Sequence, residues 1–202
     1  MHIVCLDLEG VLIPEIWIEV SKRTGIAALA RTTRDEPDYG KLMHERLAVL
    51  ARHRLRLGDI QKVIAGMAPL QGARAFLDGL RASRQVVILS DTFYEFAAPM
   101  MAQLGWPTLF CHRLEADAQG FVRAYRLRMA DQKRAAVEAF QRLNFKVIAA
   151  GDSFNDTSML TAADAGIFFR PPAEIAARFP QFPVTQDYAA LTAALDAAAA
   201  KL

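Results

Sequence analysis

The sequence predicts an α/β fold in which a parallel sheet forms the core and a helical insert follows the first strand. Three observations support this prediction. Short apolar runs alternate with longer helical patterns, the runs are apolar throughout, and one long stretch near the N-terminus is helical from end to end. Continuously apolar strands are typical of parallel sheets that helices cover on both faces. Strand–helix alternation in turn favours right-handed crossovers between neighbouring parallel strands.

The elements follow one another in a regular order. The predicted strands cover 3–8, 86–89, 108–111, 147–150 and 167–169. The predicted core helices cover 72–83, 93–104, 131–143 and 156–163. Gly105 stands just past one of these helices, whereas Ser153 and Asn155 lead into another, as helix stop and start signals do. The polar segment 113–128 has a turn signal at 118–120 and then alternates, which predicts a hairpin.

The helical insert divides the chain into two predicted parts. Residues 14–69 show three helical patterns, the first near 16–23 and the others over 41–53 and 58–67. We therefore predict a helical cap at 14–69 over the edge of the sheet, and a core formed by 1–13 and 70–202.

Composition limits the class of protein. The 202 residues are 53% hydrophobic and 23% charged, which is typical of a globular chain and excludes a disordered or collagen-like one. A net charge of +2 does not favour a nucleic-acid or membrane-surface partner. Asp7 comes too early for a signal peptide, and no apolar stretch approaches the roughly 18 residues of a membrane span. Cys5 and Cys111 lie in or beside apolar runs, so we expect reduced thiols and a cytoplasmic protein.

Acidic and polar residues stand at the ends of three predicted strands. These segments are Asp7-Leu8-Glu9-Gly10, Ser90-Asp91 and Gly151-Asp152-Ser153-Phe154-Asn155-Asp156. Ligands of open α/β sheets bind at the carboxyl ends of the strands, so Asp7, Glu9, Asp152 and Asp156 are expected to share one crevice. Four carboxylates at close range need a cation among them, and all-oxygen ligands favour Mg²⁺ over Ca²⁺. Lys133 is the candidate for neutralising the remaining charge.

Each residue also has a purely structural interpretation. Asp7 alone, or Ser90 with Asp91, would suit helix N-caps, and Lys133 alone would suit a solvated surface. The third segment is harder to explain as capping, because a glycine, two acids and an amide fall within six residues directly after an apolar strand. The ordered set therefore indicates a functional site.

In this order and spacing, with a helical cap after the first motif, the segments resemble the haloacid dehalogenase (HAD)-type phosphatases, specifically the phosphoserine phosphatase branch. The resemblance covers essentially the whole chain and is closest, over 6–11, 14–18 and 88–96, to bacterial enzymes that join phosphoserine hydrolysis to homoserine phosphorylation. It implies a HAD-like Rossmann-type core and Mg²⁺-dependent release of phosphate from phosphoserine through an aspartyl-phosphate. Whether the phosphoryl group also passes to homoserine stays open, since both reactions would use the same residues.

The resemblance implies the catalytic roles. Asp7 would be the nucleophile, and Glu9 would protonate the leaving hydroxyl and then activate water. Lys133 and Ser90 would bind phosphate oxygens. The family usually has Asp where this chain has Glu9, and the extra methylene moves the carboxylate by about one C–C bond, a misplacement that can cost about 100-fold in rate. Val11, where Thr is common in the family, is a milder departure.

The resemblance also implies the metal ligands. Asp7, Asp152 and the Glu9 carbonyl would hold Mg²⁺, with Asp156 in an outer position or near the metal.

The substrate's amino-acid part would be recognised mainly from the cap. Glu15 and Arg46 match the family's positions for the ammonium and the carboxylate, and an arginine suits a carboxylate because it binds bidentately. Asp91 and Asn155 complete the candidate substrate-binding residues.

Other functions fit parts of the pattern. A phosphatase of the same fold could act on another small phosphate ester. A non-enzymatic receiver-type module also uses acids, Mg²⁺ and a lysine around an aspartyl-phosphate, but it has the acceptor on a middle strand and lacks a cap. A serine esterase with a Gly-Asp-Ser nucleophile needs a histidine base, and none of the four histidines follows Ser153. The sequence predicts a small-molecule substrate and no particular oligomeric state.

Overall fold

The computed structural model describes residues 1–33, 35–36 and 38–202, and it shows a seven-stranded sheet between layers of helices. The strands are β1 His2–Leu6, β2 Gln85–Phe93, β3 Thr108–Ala116, β4 Val122–Arg126, β5 Lys146–Gly151, β6 Ala165–Phe169 and β7 Val184–Thr185. The helices are α1 Ile16–Thr24, α2 Tyr39–Arg52, α3 Leu57–Ala65, α4 Ala73–Ser83, α5 Tyr94–Gln103, α6 Gln132–Arg142, α7 Thr157–Ala162, α8 Ala173–Arg178 and α9 Tyr188–Ala199. The predicted α/β class is confirmed.

The sheet order is β4-β3-β2-β1-β5-β6-β7. Every neighbouring pair is parallel except β3 and β4, which form the predicted antiparallel hairpin. The first strand therefore lies in the middle, with β2 on one side and β5 on the other. This is the point where the strand order reverses, and ligand sites of such sheets lie there.

Both faces of the sheet are buried, as the apolar runs predict. In β1, Val4 and Leu6 pack into the cluster on one face, whereas Ile3 and Cys5 pack into the cluster on the other. Side chains alternate between the faces of a strand, so a strand covered on both faces has no polar positions.

Several element boundaries differ from the predictions. The first strand ends at Leu6 and not at residue 8, because the chain turns there: the Leu12 N–H donates to the Leu8 carbonyl, and Gly10 has a φ of +78°. The second strand runs on to Phe93, although its register with β3 breaks after Leu89. The helix α8 and the two-residue strand β7 were not predicted, since such short elements carry little periodic signal.

The segment between β1 and α4 is helical, in α1, α2, α3 and a 3-10 turn at Ala27–Ala30. It rests on the core at the hairpin, where the Leu57 N–H donates to the Gly120 carbonyl over 2.8 Å. On its other side the Trp17 ring meets the Phe96 ring edge to face at 5.2 Å. The exact boundaries of the cap, at residues 14 and 69, stay predictions. Across the described part of the chain, no helix is long and apolar enough to span a membrane.

Candidate active site

The carboxyl ends of β1 and β5 bring the first and last acidic segments together. The Asp7 N–H donates to the Ala150 carbonyl over 2.9 Å, so the β1–β5 ladder fixes the backbone of Asp7 next to the chain that leads into Asp152. Side-chain oxygens of Asp7, Asp152 and Asp156 lie within 4.8 Å of one another. The predicted meeting of these carboxylates is what the structure shows.

Lys133 binds this carboxylate group. Its Nζ lies 2.8 Å from Asp7 Oδ1 and 2.8 Å from Asp156 Oδ1. A third carboxylate, Asp91 Oδ2, is 3.7 Å away. Burial alone would lower the pKa of Lys133, but the charges of Asp156 and Asp7 prevail and hold it well above its ordinary value. The lysine is therefore a fixed positive charge at the floor of the site.

Asp156 shapes the loop after β5. Its Oδ2 accepts hydrogen bonds of 3.0 Å from the backbone N–H of Asp152, the backbone N–H of Ser153 and the Ser153 hydroxyl. A Cβ on Gly151 would overlap the Asp156 carboxyl group, which explains the glycine at this position. Asp156 is thus a loop organiser and a partner of Lys133.

The carboxylate group has the chemistry of a site for a hard divalent cation. Burial, and then the charge of Asp156, raise the pKa of Asp152 to about 8. Burial and the same neighbour raise the pKa of Asp7 well above its ordinary range. Gly10 leaves room beside Asp152, since a Cβ there would overlap its carboxyl group. The donors are all oxygen and repel one another without a cation, so they fit Mg²⁺.

The Glu9 carboxylate is bound to the start of α1. Its Oε2 accepts a hydrogen bond of 2.8 Å from the N–H of Ile16, the first residue of α1. The Thr92 hydroxyl also donates to it. Burial, and then the nearby charge of Glu15, raise the pKa of Glu9 to about 8. The longer side chain is therefore held by the first helix of the cap, and a metal role through its carbonyl stays a prediction.

The segment after the ladder of β2 forms a second wall. Ser90 is buried, and its hydroxyl oxygen accepts from the Thr92 N–H over 3.3 Å. Asp91 Oδ1 lies 3.6 Å from His112 Nε2 and 3.3 Å from Gln132 Nε2. Burial would raise the pKa of Asp91, but the charge of Lys133 and these two donors lower it to about 2. Its carboxylate is thus occupied by protein groups, and a direct role in substrate binding stays a prediction.

The helical segment between β1 and α4 also lines the cleft. Arg46 is buried, its guanidinium lies 4.6 Å from the centre of the Trp17 ring, and its NH2 donates to the Arg31 carbonyl over 2.8 Å. Among the described residues, its Nε has no hydrogen-bond partner. Burial lowers the pKa of Arg46 from its ordinary value. Glu15 is exposed and lines the same cleft.

These walls enclose a cleft of about 300 Å³. The candidate residues that line it are Asp7, Glu9, Glu15, Arg46, Ser90, Asp91, Lys133, Asp152 and Asn155. The structure therefore brings these nine candidates to one cavity. Asp156, which was expected to share the crevice, is fully buried and does not line it. Asn155 stands at the exposed rim, where its Nδ2 lies 3.4 Å from the Thr33 hydroxyl.

Sequence reasoning missed several residues of the site. Trp17, Thr92, His112 and Gln132 each hold a predicted site residue, and Tyr39 donates to the Asp91 carbonyl over 3.1 Å. Most of these contacts join distant parts of the chain, so no local pattern marks them. Gln132 was the exception, since its position beside Lys133 at a helix start was a usable signal.

Comparison with known proteins agrees with this geometry. The family model described as a haloacid dehalogenase-like hydrolase matches residues 1–164. The phosphoserine phosphatase ThrH of Pseudomonas aeruginosa is 58% identical over 93% of this chain and 92% of its own length. A phosphoserine phosphatase of Pseudomonas syringae pv. tomato is 56% identical over 93% of this chain and 79% of its own.

Solved structures share the fold. A phosphoserine phosphatase from T. onnurineus has a TM-score of 0.71 at 22% identity and covers 94% of this chain and 92% of its own. A phospho-aspartyl intermediate analogue of phosphoserine phosphatase has a TM-score of 0.74 at 17% identity, with 91% of both chains covered. The motif order, the cleft and these matches together show that the chain belongs to the haloacid dehalogenase-like hydrolase family.

Proposed function

We propose that this protein hydrolyses phosphoserine to serine and phosphate through an aspartyl-phosphate on Asp7. The observation that carries the proposal is that one cleft is lined by both kinds of group that phosphoserine needs. Asp7 and Lys133 lie buried there, and Arg46 and Glu15 line the same cleft with one charge of each sign. Phosphoserine has a phosphate for the floor and a zwitterion for the cap. The names of the two Pseudomonas relatives support the same substrate.

The first half of the reaction forms the acyl phosphate. An Asp7 carboxylate oxygen attacks phosphorus, the P–O bond to serine breaks, and the serine oxygen takes a proton from Glu9. Glu9 suits this role because its raised pKa of about 8 keeps a proton available near neutral pH.

The second half releases phosphate. The deprotonated Glu9 takes a proton from a water molecule, whose oxygen attacks phosphorus, and the bond from phosphorus to Asp7 breaks. Lys133 has three N–H donors, of which Asp7 and Asp156 engage two, so one is left for a phosphate oxygen. The Ser90 hydroxyl would bind another phosphate oxygen.

A Mg²⁺ ion would be held by Asp7 and Asp152, with the Glu9 carbonyl. When bound, it would offset the repulsion between these carboxylates and the negative charge of the phosphate. The oxygen donors and their mutual repulsion support this assignment.

Three related assignments depend on the same site. Transfer to homoserine would place an alcohol where the second half uses water, and it stays an open alternative. If another small phosphate ester without a zwitterion were the substrate, Arg46 and Glu15 would have no charged substrate groups to bind. A receiver-type module is disfavoured, because the family is one of hydrolases.

Cys5 and Cys111 are free and buried, which supports the expected cytoplasmic location.

The test is phosphate release by the purified protein with Mg²⁺, measured on phosphoserine, a sugar phosphate and an aryl phosphate. Parallel assays contain homoserine, with both serine and phosphohomoserine followed. We expect phosphoserine to be preferred at least about 10-fold, as expected for charge-assisted pairing of the zwitterion, and activity to stop on chelation. A preference for the sugar phosphate, or full activity in chelator, would contradict the proposal.

A further inference from the structure

Two consecutive polar side chains at the start of α6 are buried. Gln132 is 2% exposed and Lys133 is 4% exposed. The proposed reaction uses Lys133 but has no step for Gln132. A buried amide costs free energy unless its donors and its acceptor are satisfied, so the partners of Gln132 indicate what it does.

The Gln132 amide joins β2 to the loop before α6. Its Nε2 donates to the Ser90 carbonyl over 2.7 Å and to Asp91 Oδ1 over 3.3 Å. Its Oε1 accepts from Arg128 NH2 over 3.0 Å. A carbonyl only accepts and a guanidinium only donates, so a single orientation of the amide satisfies both ends.

The end of β2 needs this support because the strand ladder fails there. The register with β1 ends at Ile88, and the register with β3 breaks between Leu89 and Phe93. Ser90 stands in that break. Its carbonyl takes a hydrogen bond from the side chain of Gln132, where an ordinary strand residue would use a neighbouring strand.

We propose that Gln132 is a positioning residue that sets the spacing between the Ser90 hydroxyl on β2 and the Lys133 ammonium on α6. The proposal rests on the proposed function, in which these two groups bind phosphate oxygens. Gln132 acts through the backbone of Ser90 and through the helix that it shares with Lys133. Its effect should therefore fall on the phosphate group, which is common to all substrates, and not on the amino-acid part that Arg46 reads.

Gln132→Met tests this, because methionine keeps the length of the side chain and removes the amide. Gln141→Met is the matched control. Gln141 lies on the same helix, and its Nε2 donates to the Ala162 carbonyl over 2.9 Å and to Asp164 Oδ2 over 3.1 Å, away from the cleft. The readouts are the inhibition constant of inorganic phosphate with Mg²⁺, kcat/KM for phosphoserine and for an aryl phosphate, and Tm.

We expect Gln132→Met to weaken phosphate inhibition about 10-fold and to lower kcat/KM by about 10- to 100-fold on both substrates, as a misplacement of about 1 Å does. The ratio between the two substrates should stay within twofold. Gln141→Met should lower Tm about as much as Gln132→Met does. Its kinetic constants should all stay within twofold of wild type. Unchanged phosphate inhibition in Gln132→Met, or equal kinetic losses in both variants, would overturn the positioning role.

Arg128→Met keeps the proposal testable if Gln132→Met does not fold. Arg128 is exposed, and its loss frees the Oε1 end of the amide without creating a buried cavity. We expect the same pattern at a smaller size, about two- to fivefold on phosphate inhibition, whereas no change there together with no change in turnover would overturn the proposal. Calorimetric binding of inorganic phosphate to the Mg²⁺-loaded protein separates the two proposals, since it reads the role of Gln132 even if phosphoserine is not a substrate.

Discussion

Two buried cations line the cleft, Lys133 and Arg46, and the protein holds them in different ways. Lys133 is within 4 Å of three carboxylates. Arg46 contacts a backbone carbonyl and an aromatic ring, and within the described part of the chain its Nε has no hydrogen-bond partner. Among the described residues, no carboxylate forms a salt bridge with Arg46. The ion pairs of Lys133 on the floor of the site are thus formed before a substrate arrives, whereas Arg46 has no ion pair with the described residues. A buried cation without a counter-ion is costly, so an incoming carboxylate has most to gain at Arg46.

The largest effect is expected when a carboxylate is removed from the floor of the site. Asp7→Asn should lower kcat by about 10⁴-fold or more, because an amide cannot attack phosphorus. It should leave Tm in chelator unchanged or higher, since one of several repelling carboxylates is lost. Substantial residual turnover, or wild-type protein that shows no phosphorylated Asp7 in trapping experiments, would contradict the nucleophile assignment.

Removing each cation in turn tests the comparison directly. Lys133→Met leaves its carboxylates without a counter-ion, and we expect the free energy of unfolding of the metal-free protein to fall by about 3–5 kcal/mol. Arg46→Met removes a charge that has no ion pair, so its stability should stay within about 1 kcal/mol of wild type. Urea unfolding of both variants at one pH measures the difference. Equal losses would show that the two cations are held alike.

Substrate preference tests the comparison at Arg46 and Glu15. Arg46→Met and Glu15→Gln should each lower kcat/KM for phosphoserine by about 10- to 100-fold, the value of one charge-assisted partner. An aryl phosphate, which has nothing for either group to pair with, should change only a few-fold. Arg74→Met is a control on a helix surface, where Arg74 pairs with Asp78 outside the cleft. Equal losses on both substrates would assign Arg46 and Glu15 to the fold or to the phosphate site.

The smallest expected effect is a dependence of stability on pH. The pKa of Asp152 is about 8 in the folded protein and about 4 in an unfolded chain, so the folded state binds the proton more tightly. The stability that this group contributes is complete below about pH 4 and is lost as the pH rises to about 8. Tm in chelator should therefore fall over this range, and Mg²⁺ should raise Tm most at high pH, where Asp152 is ionised.

Asp152→Asn should reduce that slope without abolishing it, because Asp7 and Glu9 also have raised pKa values. Asp164→Asn is the matched control, because Asp164 accepts from the Val147 N–H and the Lys146 ammonium and has a lowered pKa, which gives a dependence of the opposite sign. A slope that is unchanged in Asp152→Asn would assign the whole titration to Asp7 and Glu9.

Most of the fold could be predicted from the sequence because its elements depend on local patterns of apolar and polar residues. Apolar runs identified the five longer parallel strands, and polar residues at their ends located the cleft. The ends of elements were less certain, as β2 shows. Its predicted end at residue 89 marks the break in the ladder, and Phe93 pairs again with His112 only because the hairpin lies alongside.

The candidate site was predictable where a residue acts at its own strand end and not where it acts on another residue. Asp7 and Asp152 could be predicted, because each is an acidic residue at the end of an apolar run. His112 lies within β3 and reads as one more strand residue, and its role depends on facing Asp91 from a strand 21 residues further on. The contact of Glu9 with α1 likewise depends on how the cap turns back over the sheet.

The central position of β1 in the sheet has a consequence for folding during synthesis on the ribosome. Asp7 is made before its cationic partner Lys133, which lies 126 residues further along the chain. At about 5–20 residues per second, Asp7 waits about 6–25 s for Lys133 to be synthesised, and longer for Asp156. The cap waits as well, because Leu57 rests on Gly120. A nascent chain therefore cannot begin phosphoryl chemistry until Lys133 and Asp156 have both been synthesised.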